Sequence, residues 1–288
     1  MTSPLLCRLG DRGLIAVTGP DAEPFLGRLL TQSPSAATAG HAAYGALLTP
    51  QGKIISDFLI ARLDDGFLLD GPASATADIV RRLTMFKLRA AVTIADVTGE
   101  RAALAAWDGN EPPADGGPWF VDSRAPGLGY RAWPRLDALP AMTANDAAYD
   151  RHRIALAVPA IGRDAALGDG FPADIAMDSL AGVDFAKGCY VGQEVVSRMR
   201  YRGTARRRPV AVTGEAPLRA GADILAGTRA VGAIGSVADR RGIAIVRLDR
   251  VAAARAAGEP ITADGQPVSL DLPAWADYGW PENTSTDD

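Results

Sequence analysis

Cysteine and histidine are scarce in this 288-residue chain, which contains two of each. Cys7 and Cys189 lie far apart in the sequence, so the spacing excludes a disulfide framework and a Cys-x-x-Cys metal site. A [4Fe–4S] cluster is held by four thiolates, so this chain cannot house one alone, and we expect no metal site. With so few cysteines, a reducing cytoplasmic environment is the expected compartment.

Long apolar runs and an excess of basic charge are also missing. No apolar stretch approaches ~18 residues, and the first ten residues lack the pattern of a signal peptide, so we expect no membrane association. The net charge of −4 excludes a generally basic nucleic-acid-binding surface. No glycine cluster has the G-x-G-x-x-G spacing of a dinucleotide loop. Stable nucleic-acid binding is therefore not expected.

Apolar residues, by contrast, make up 48% of the chain, enough for a large core and for two or three domains. A Pro/Gly-rich run at 109–118 and a triple arginine before Pro209 mark two boundaries. They divide the chain into 1–110, 111–205 and 206–288. Short strands separated by glycine turns predict a small antiparallel barrel in the last part. The polar segment 282–288 is predicted to be disordered.

The first two parts show mixed helix and strand patterns, typical of an α+β fold with helices on one face of antiparallel sheet. Residues 5–9 and 14–17 flank a glycine turn and predict a hairpin. Helices are predicted over 21–30, 73–88 and 146–155. Helical spacing in the second of these turns three side chains inward, namely Ile79, Leu83 and Phe86.

Residues Lys187 to Glu194, Lys-Gly-Cys-Tyr-Val-Gly-Gln-Glu, place five kinds of reactive group among glycines. We call this segment the signature loop. A helix is predicted from Tyr190 to Met199, which would put the Cys189 thiol at a helix N-terminus, close to the Lys187 ammonium. Both features favour a thiolate. The alternative is that Cys189 is a small buried hydrophobic residue.

Asp57 is the second candidate, because it lies within an apolar strand. Alternation puts Ile54, Phe58 and Ile60 on one face and Asp57 on the other, with Ile55 and Leu59. A carboxylate in that position has a desolvation cost unless something pairs with it. The partner is either an arginine or a ligand.

Arginine is concentrated between Arg198 and Arg208, where it occupies six of eleven positions around Tyr201. Such a run is commonly a solvated face. Guanidinium groups also pair bidentately with carboxylates, and arginine beside an aromatic residue suits RNA. Because no known RNA-binding motif is present, we favour binding of a carboxylate-bearing ligand or partner.

The signature loop, its continuation through Gly203, and the segments Leu48 to Asp57 and His152 to Pro159 together resemble the YgfZ-type folate-binding proteins. The two upstream segments are similar to that family's folate-side hairpins. These proteins are relatives of the aminomethyltransferase (T-protein) of glycine cleavage, and they are implicated in tetrahydrofolate-dependent maturation or repair of iron–sulfur proteins. The resemblance covers most of residues 5–250.

The resemblance implies two ferredoxin-like antiparallel α+β units with a C-terminal small β-barrel around a central folate cavity. It implies tetrahydrofolate, or a one-carbon derivative, as cofactor and iron–sulfur client proteins as partners. Cys189 and Lys187 would carry the chemistry. The folate contacts would come from seven further residues: Asp57, Asp174, Tyr190, Gln193, Glu194, Arg198 and Arg202.

Three functions remain open from the sequence. The first is a tetrahydrofolate-binding accessory factor for iron–sulfur proteins. The second is a one-carbon transferase, similar to an aminomethyltransferase or demethylase, that uses folate as acceptor. The third is an RNA-modification-associated binding module that uses the arginine run. We favour the first, because the Lys-Gly-Cys-Tyr sequence is typical of the accessory branch.

Overall fold

The computed structural model describes residues 3–201, 203 and 205–281. It contains fifteen strands and five helices. The strands are β1 Leu5–Arg8, β2 Arg12–Thr18, β3 His41–Leu48, β4 Ile54–Leu63, β5 Gly66–Pro72, β6 Thr93–Asp96, β7 Leu104–Trp107, β8 Phe120–Asp122, β9 Tyr130–Ala132, β10 Arg207–Gly214, β11 Asp223–Ala226, β12 Arg229–Ala238, β13 Arg241–Arg247, β14 Ile261–Ala263 and β15 Gln266–Asp271. The helices are α1 Ala22–Gly27, α2 Thr76–Lys87, α3 Asp146–Ala155, α4 Gln193–Tyr201 and α5 Leu248–Ala256. None of the helices in these ranges is long and apolar enough to cross a bilayer.

Nine strands form one sheet in the order β1-β7-β9-β8-β3-β4-β5-β2-β6. Its two parts meet where β8 and β3 pair in parallel over two residues of each strand. One face packs on α1 and α2 through a cluster that includes Phe58 and Ile79. The other face packs on α3, the signature loop and α4 through Tyr44, Tyr149 and Tyr190. The α+β prediction is confirmed.

The remaining six strands close into a barrel in the order β10-β13-β12-β11-β14-β15, and β15 pairs back onto β10. Its interior is apolar and includes Val210, Ile224 and Val246. The sequence prediction of a C-terminal barrel is confirmed. The predicted domain limits stay predictions, and the predicted disorder at 282–288 lies outside the described residues.

The predicted hairpin between residues 5–9 and 14–17 is wrong. Strand β1 pairs with β7, with Leu6 opposite Ala106. Strand β2 lies between β5 and β6, with Ile15 opposite both Leu69 and Asp96. Because both edges of β2 are occupied, β1 has no edge on which to pair with it. The short sequence spacing favoured a hairpin, but both strands pair instead with strands that are distant in the sequence.

The predicted alternation along β4 is correct from Asp57 onward and wrong at its start. A register shift lies in the β3–β4 pairing between Leu47 and Leu48. As a result Ile54 joins the cluster that contains Leu59, whereas Ile55 packs with the opposite cluster. One extra residue in a strand exchanges the two faces.

The predicted inward position of Phe86 is also wrong. Ile79 and Leu83 are fully buried, but the side chain of Phe86 is 45% exposed. Helix α2 ends at Lys87, and the chain changes direction at Leu88, which has a positive φ of 45°. Helical periodicity predicts the direction in which a side chain points around the helix axis. It does not show whether another part of the fold covers that position.

The segment His152 to Pro159, which resembles a hairpin of the folate-binding family, forms the end of α3 and the turn that follows. Its Arg153 is buried and donates to Asp164 Oδ2 (2.9 Å) and to Ser236 Oγ in β12 (2.6 Å). Asp164 Oδ1 in turn accepts from the Ser236 backbone N–H (2.6 Å). This arginine therefore joins α3 to the barrel.

Candidate functional site

The signature loop packs against the turn that joins β3 to β4. Gly192 has a φ of +83°, and a Cβ atom there would lie 2.6 Å from the carbonyl oxygen of Thr49. A Cβ atom on Gly52, which has a φ of +78°, would meet Val195 at 2.9 Å. Glycine at both positions lets the two backbones touch. The structure thus brings together the two segments that most resemble the folate-binding family.

Lys187 anchors the signature loop from the inside. Its Nζ donates to the carbonyl oxygens of Leu30 (2.6 Å) and Gln32 (3.3 Å) and lies 5.2 Å from the centroid of the Tyr190 ring. Burial disfavours the ammonium and lowers the pKa of Lys187 to about 8, although Asp184 opposes the change. The lysine therefore holds the loop to the segment before β3.

Cys189 is exposed, as the flanking glycines predict. The predicted helix start at Tyr190 is wrong, because α4 begins at Gln193. The field of a helix terminus falls off within the first turn. Cys189 lies four residues before that turn, so the predicted placement of its thiol at a helix N-terminus is wrong.

Asp57 lies on β4 with 4% of its surface exposed. Tyr44 Oη donates to Asp57 Oδ2 at 2.9 Å, and Oδ1 is buried with no hydrogen-bond partner among the described residues. Burial raises the pKa of Asp57, although the charges of Arg12 and Arg124 oppose the change. Of the two partners that the sequence left open, no arginine bonds Asp57 among the described residues: a tyrosine bonds one oxygen, and the other oxygen is open.

Two further buried carboxylates lie in the same sheet, and sequence reasoning missed both. Asp70 accepts from Arg12 Nε at 2.6 Å. Asp122 accepts from Arg124 through both oxygens (2.9 and 2.7 Å) and from Arg131 Nε (3.1 Å). Burial opposes ionisation of Asp122, but the two guanidinium groups outweigh it and hold its pKa well below the usual range. Asp122 and Arg124 lie two positions apart, but the other three residues come from distant segments, so no local pattern predicts the whole group.

Arginine side chains fill the space beside these carboxylates. The cleft there has a volume of about 50 Å³, and its walls include Arg12, Arg124, Arg131, Tyr149 and Arg153. Small-molecule sites usually measure roughly 300–1,000 Å³. This cleft therefore has no room for a bicyclic ring system unless its side chains move.

Asp174 has a local structural role. It is 6% exposed, and its Oδ2 accepts from the backbone N–H of Phe171 at 3.0 Å. That bond caps the 3-10 helix Pro172–Ile175. Burial raises the pKa of Asp174 against the opposing charges of Arg207, Lys53 and Arg208.

The remaining predicted contacts differ in their surroundings. Tyr190 is buried, and its Oη has no hydrogen-bond partner within the part of the chain that the structure describes. Gln193 is the first residue of α4, and Glu194 and Arg198 are exposed on that helix. Arg202 lies outside the described residues.

Tyr44 connects Asp57 to the segment before the signature loop. A Cβ atom on Gly182 would lie 2.8 Å from Cδ1 of Tyr44, the tyrosine that bonds Asp57. The Gly182 carbonyl also accepts from Thr31 Oγ1 at 2.6 Å. The structure therefore places Asp57 and the signature loop on one face of the sheet.

Comparison with known proteins agrees with this architecture. Residues 9–108 match the family model described as the GCVT N-terminal domain, and residues 206–278 match that of the CAF17 C-terminal beta-barrel domain. The solved aminomethyltransferase T of the glycine cleavage system from Bartonella henselae superposes with a TM-score of 0.72 at 18% identity. That match covers 98% of this chain and 88% of the other. The chain has the aminomethyltransferase T fold.

Curated relatives carry the name iron-sulfur cluster assembly factor IBA57. The mitochondrial homolog from Mycosarcoma maydis is 32% identical over 225 residues, which cover 71% of this chain and 56% of that protein. The mitochondrial protein from Homo sapiens is 31% identical over 228 residues, which cover 70% and 64%. This chain spans a little more than half the length of such relatives. The YgfZ-type assignment and the cytoplasmic location stay predictions.

We expect Lys187 to titrate with a midpoint near pH 8, because burial destabilises its ammonium. Between that value and roughly 10.4, the unfolded chain binds more protons than the folded one, so this residue makes stability rise with pH. The chain has three lysines, so NMR of their Cε carbons resolves the titration. Lys187→Met should remove the transition and flatten the rise in stability. A midpoint above pH 10 would contradict the burial of the Lys187 ammonium.

We expect Asp57→Asn to stabilise the folded protein above neutral pH by on the order of 1 kcal/mol, because it removes a buried charge with an open oxygen. Since burial raises the folded pKa of Asp57, the difference should vanish below pH about 4, where folded and unfolded carboxyls are both protonated. Urea unfolding across this pH range measures it. The prediction would be contradicted if the variant gained less stability over the unsubstituted chain at pH 8 than at pH 4.

Proposed function

We propose that this chain is a tetrahydrofolate-binding accessory factor for the assembly or repair of iron–sulfur proteins, with Cys189 as its functional thiol. The open, buried Oδ1 of Asp57 is the observation that carries the proposal. The aminomethyltransferase T fold and relatives named as iron–sulfur cluster assembly factors support it.

The Asp57 site fits a ligand that donates hydrogen bonds. A buried acceptor without a partner costs about 1–3 kcal/mol, and the N–H groups of a pterin ring would satisfy it. The resemblance implies that, in aminomethyltransferases, the aspartate corresponding to Asp57 lies beside that ring. Tyr190 Oη, a second buried polar atom without a partner, adds a contact of the same kind. Bound tetrahydrofolate would supply an acceptor for a one-carbon unit.

Folate binding also requires the narrow cleft to open. Arg12 and Arg124 line it, and their charges act on Asp57. Their carboxylate partners keep the guanidinium groups in place, so ring entry would exchange contacts within this network. The exposed Arg198, together with Arg202, then serves as our candidate anchor for the glutamate tail, because guanidinium pairs well with carboxylates.

Cys189 is proposed as the working thiol because it is exposed on an anchored loop. Cys7 contrasts with it, because burial raises the pKa of that thiol to about 11 and makes a reactive thiolate rare at neutral pH. One accessible thiol suits sulfur transfer, a one-electron step or a contact to a client's metal. The other ligands of any cluster would come from the client.

A one-carbon transferase is the second candidate, and the overall fold favours it. The two functions differ in turnover. A transferase consumes a methylamine-type donor in the presence of tetrahydrofolate, whereas an accessory factor binds folate without consuming the donor. Incubation of the purified chain with both compounds, followed by product analysis, separates them.

We expect Asp57→Ala to weaken tetrahydrofolate binding by ~1.5–3 kcal/mol for each charge-assisted hydrogen bond lost, at least about tenfold in the dissociation constant. Calorimetric titration measures the constant. Asp137→Ala, which removes an exposed carboxylate, is the matched control and should bind normally. An Asp57→Ala variant with unchanged affinity would remove this residue from the folate site.

We expect Cys189→Ser to leave the melting temperature and folate affinity nearly unchanged, because the side chain is exposed. The same variant should fail to restore iron–sulfur enzyme activity in a strain that lacks the gene. Cys7→Ala is the control for loss of a thiol as such and should restore activity. Full rescue by Cys189→Ser would show that the thiol is dispensable.

A further inference from the structure

Three large apolar side chains are exposed together at the end of α2. Met85 is 66% exposed, Phe86 45% and Leu88 89%, the last being the largest value among the exposed large hydrophobic residues described. We call these three residues the α2-end patch. Contiguous exposed apolar residues mark interaction sites more often than scattered ones do.

The backbone holds the α2-end patch in place. Leu88 has φ 45° and ψ −107°, a backbone conformation that residues other than glycine rarely adopt. The turn behind it is fixed, because the Ala90 N–H donates to the Lys87 carbonyl (2.8 Å) and the Ala91 N–H donates to Asp21 Oδ2 (2.7 Å). Unfavourable backbone conformations persist where the surrounding structure imposes them, and they cluster at binding sites.

The segment that carries the patch is basic, although the whole chain has a net charge of −4 and the acidic side chain of Asp21 is bonded to the turn after the patch. Arg81 and Arg82 share a single carboxylate, that of Asp78. Lys87 and Arg89 add two more cations next to the patch. The segment 76–89 therefore carries four cationic side chains and one carboxylate, which favours an acidic binding partner.

We propose that the α2-end patch is a docking surface for a partner protein whose apolar cleft is bordered by aspartate and glutamate. Methionine, aromatic and arginine side chains are enriched at protein interfaces, and a few buried anchors carry most of the binding energy. Leu88 and Met85 are the anchors, and the arginines and Lys87 set orientation and speed association.

The docking surface is distinct from the folate site. Helix α2 packs on the sheet face of Phe58 and Ile60, whereas Tyr44 and Leu59, on the Asp57 side of β4, belong to the opposite cluster. A partner held here therefore leaves the folate side of the sheet uncovered, so this inference goes beyond the proposed function.

A protein partner fits the patch better than a membrane does. Interfacial helices lay a whole apolar face into the lipid. The inward face of α2, which includes Ile79 and Leu83, is already buried in the core, so three residues at one end are all that a bilayer would receive.

Photo-cross-linking in cells tests the proposal. The full chain carries benzoylphenylalanine in place of Thr84, an exposed residue beside Met85, and replaces the native protein. The cross-linked protein is identified by mass spectrometry, purified and titrated against the unmodified chain. We expect Leu88→Gly to weaken this binding by about tenfold or more, and Arg89→Glu to weaken it and to reduce its salt dependence.

Leu88→Gly separates loss of the surface from loss of the fold. Glycine accepts the positive φ, so the melting temperature should stay the same or rise, and tetrahydrofolate affinity should not change. Leu136→Ala, at another exposed leucine, is the control and should bind the partner normally. The proposal is overturned if no partner is cross-linked or if Leu88→Gly binds it normally. It is equally overturned if the cross-linked protein is a second copy of this chain and light scattering shows a dimer. Binding of phosphatidylglycerol vesicles to the patch would also overturn it.

Discussion

The structure depends on holding three carboxylates inside one sheet. Asp70 and Asp122 are neutralised by arginines from other strands and loops, whereas Asp57 has a tyrosine and an open oxygen. Buried ion pairs contribute little net stability, but removing one partner leaves an uncompensated charge. Their effect here is to fix which strands and loops lie next to one another.

That effect matters most where the sheet is weakest. Strands β3 and β8 join the two parts of the sheet over two residues each. Polar contacts reinforce this connection: Trp133 Nε1, just beyond β9, donates to Asp70 Oδ2 in β5 at 2.9 Å. Arg131, in β9, binds Asp122 and also donates to Tyr149 Oη in α3 (3.1 Å). Arg131 and Tyr149 also line the narrow cleft of about 50 Å³, so contacts that hold the fold together also shape this cleft.

The residues of the signature loop occupy different structural positions. Gly192 lets the loop touch the β3–β4 turn, and Lys187 ties it to the backbone before β3. Cys189 lies between these two anchors and is exposed. A motif dense in reactive groups thus contains one candidate reactive group and several that present it. In this arrangement, the Lys187 ammonium is bonded to two backbone carbonyls and holds the loop in place.

The sequence alone was sufficient for the C-terminal barrel and for α3, because turn chemistry and periodicity are local properties. Only the tertiary structure decided the partner of β1, the exposure of Phe86 and the direction of the Lys187 side chain. Each depends on what lies opposite in space: an occupied strand edge, the end of a sheet, or a carbonyl more than a hundred residues away. The network around Asp57 belongs to the second group, because its members share no sequence pattern and become neighbours only when the strands pair.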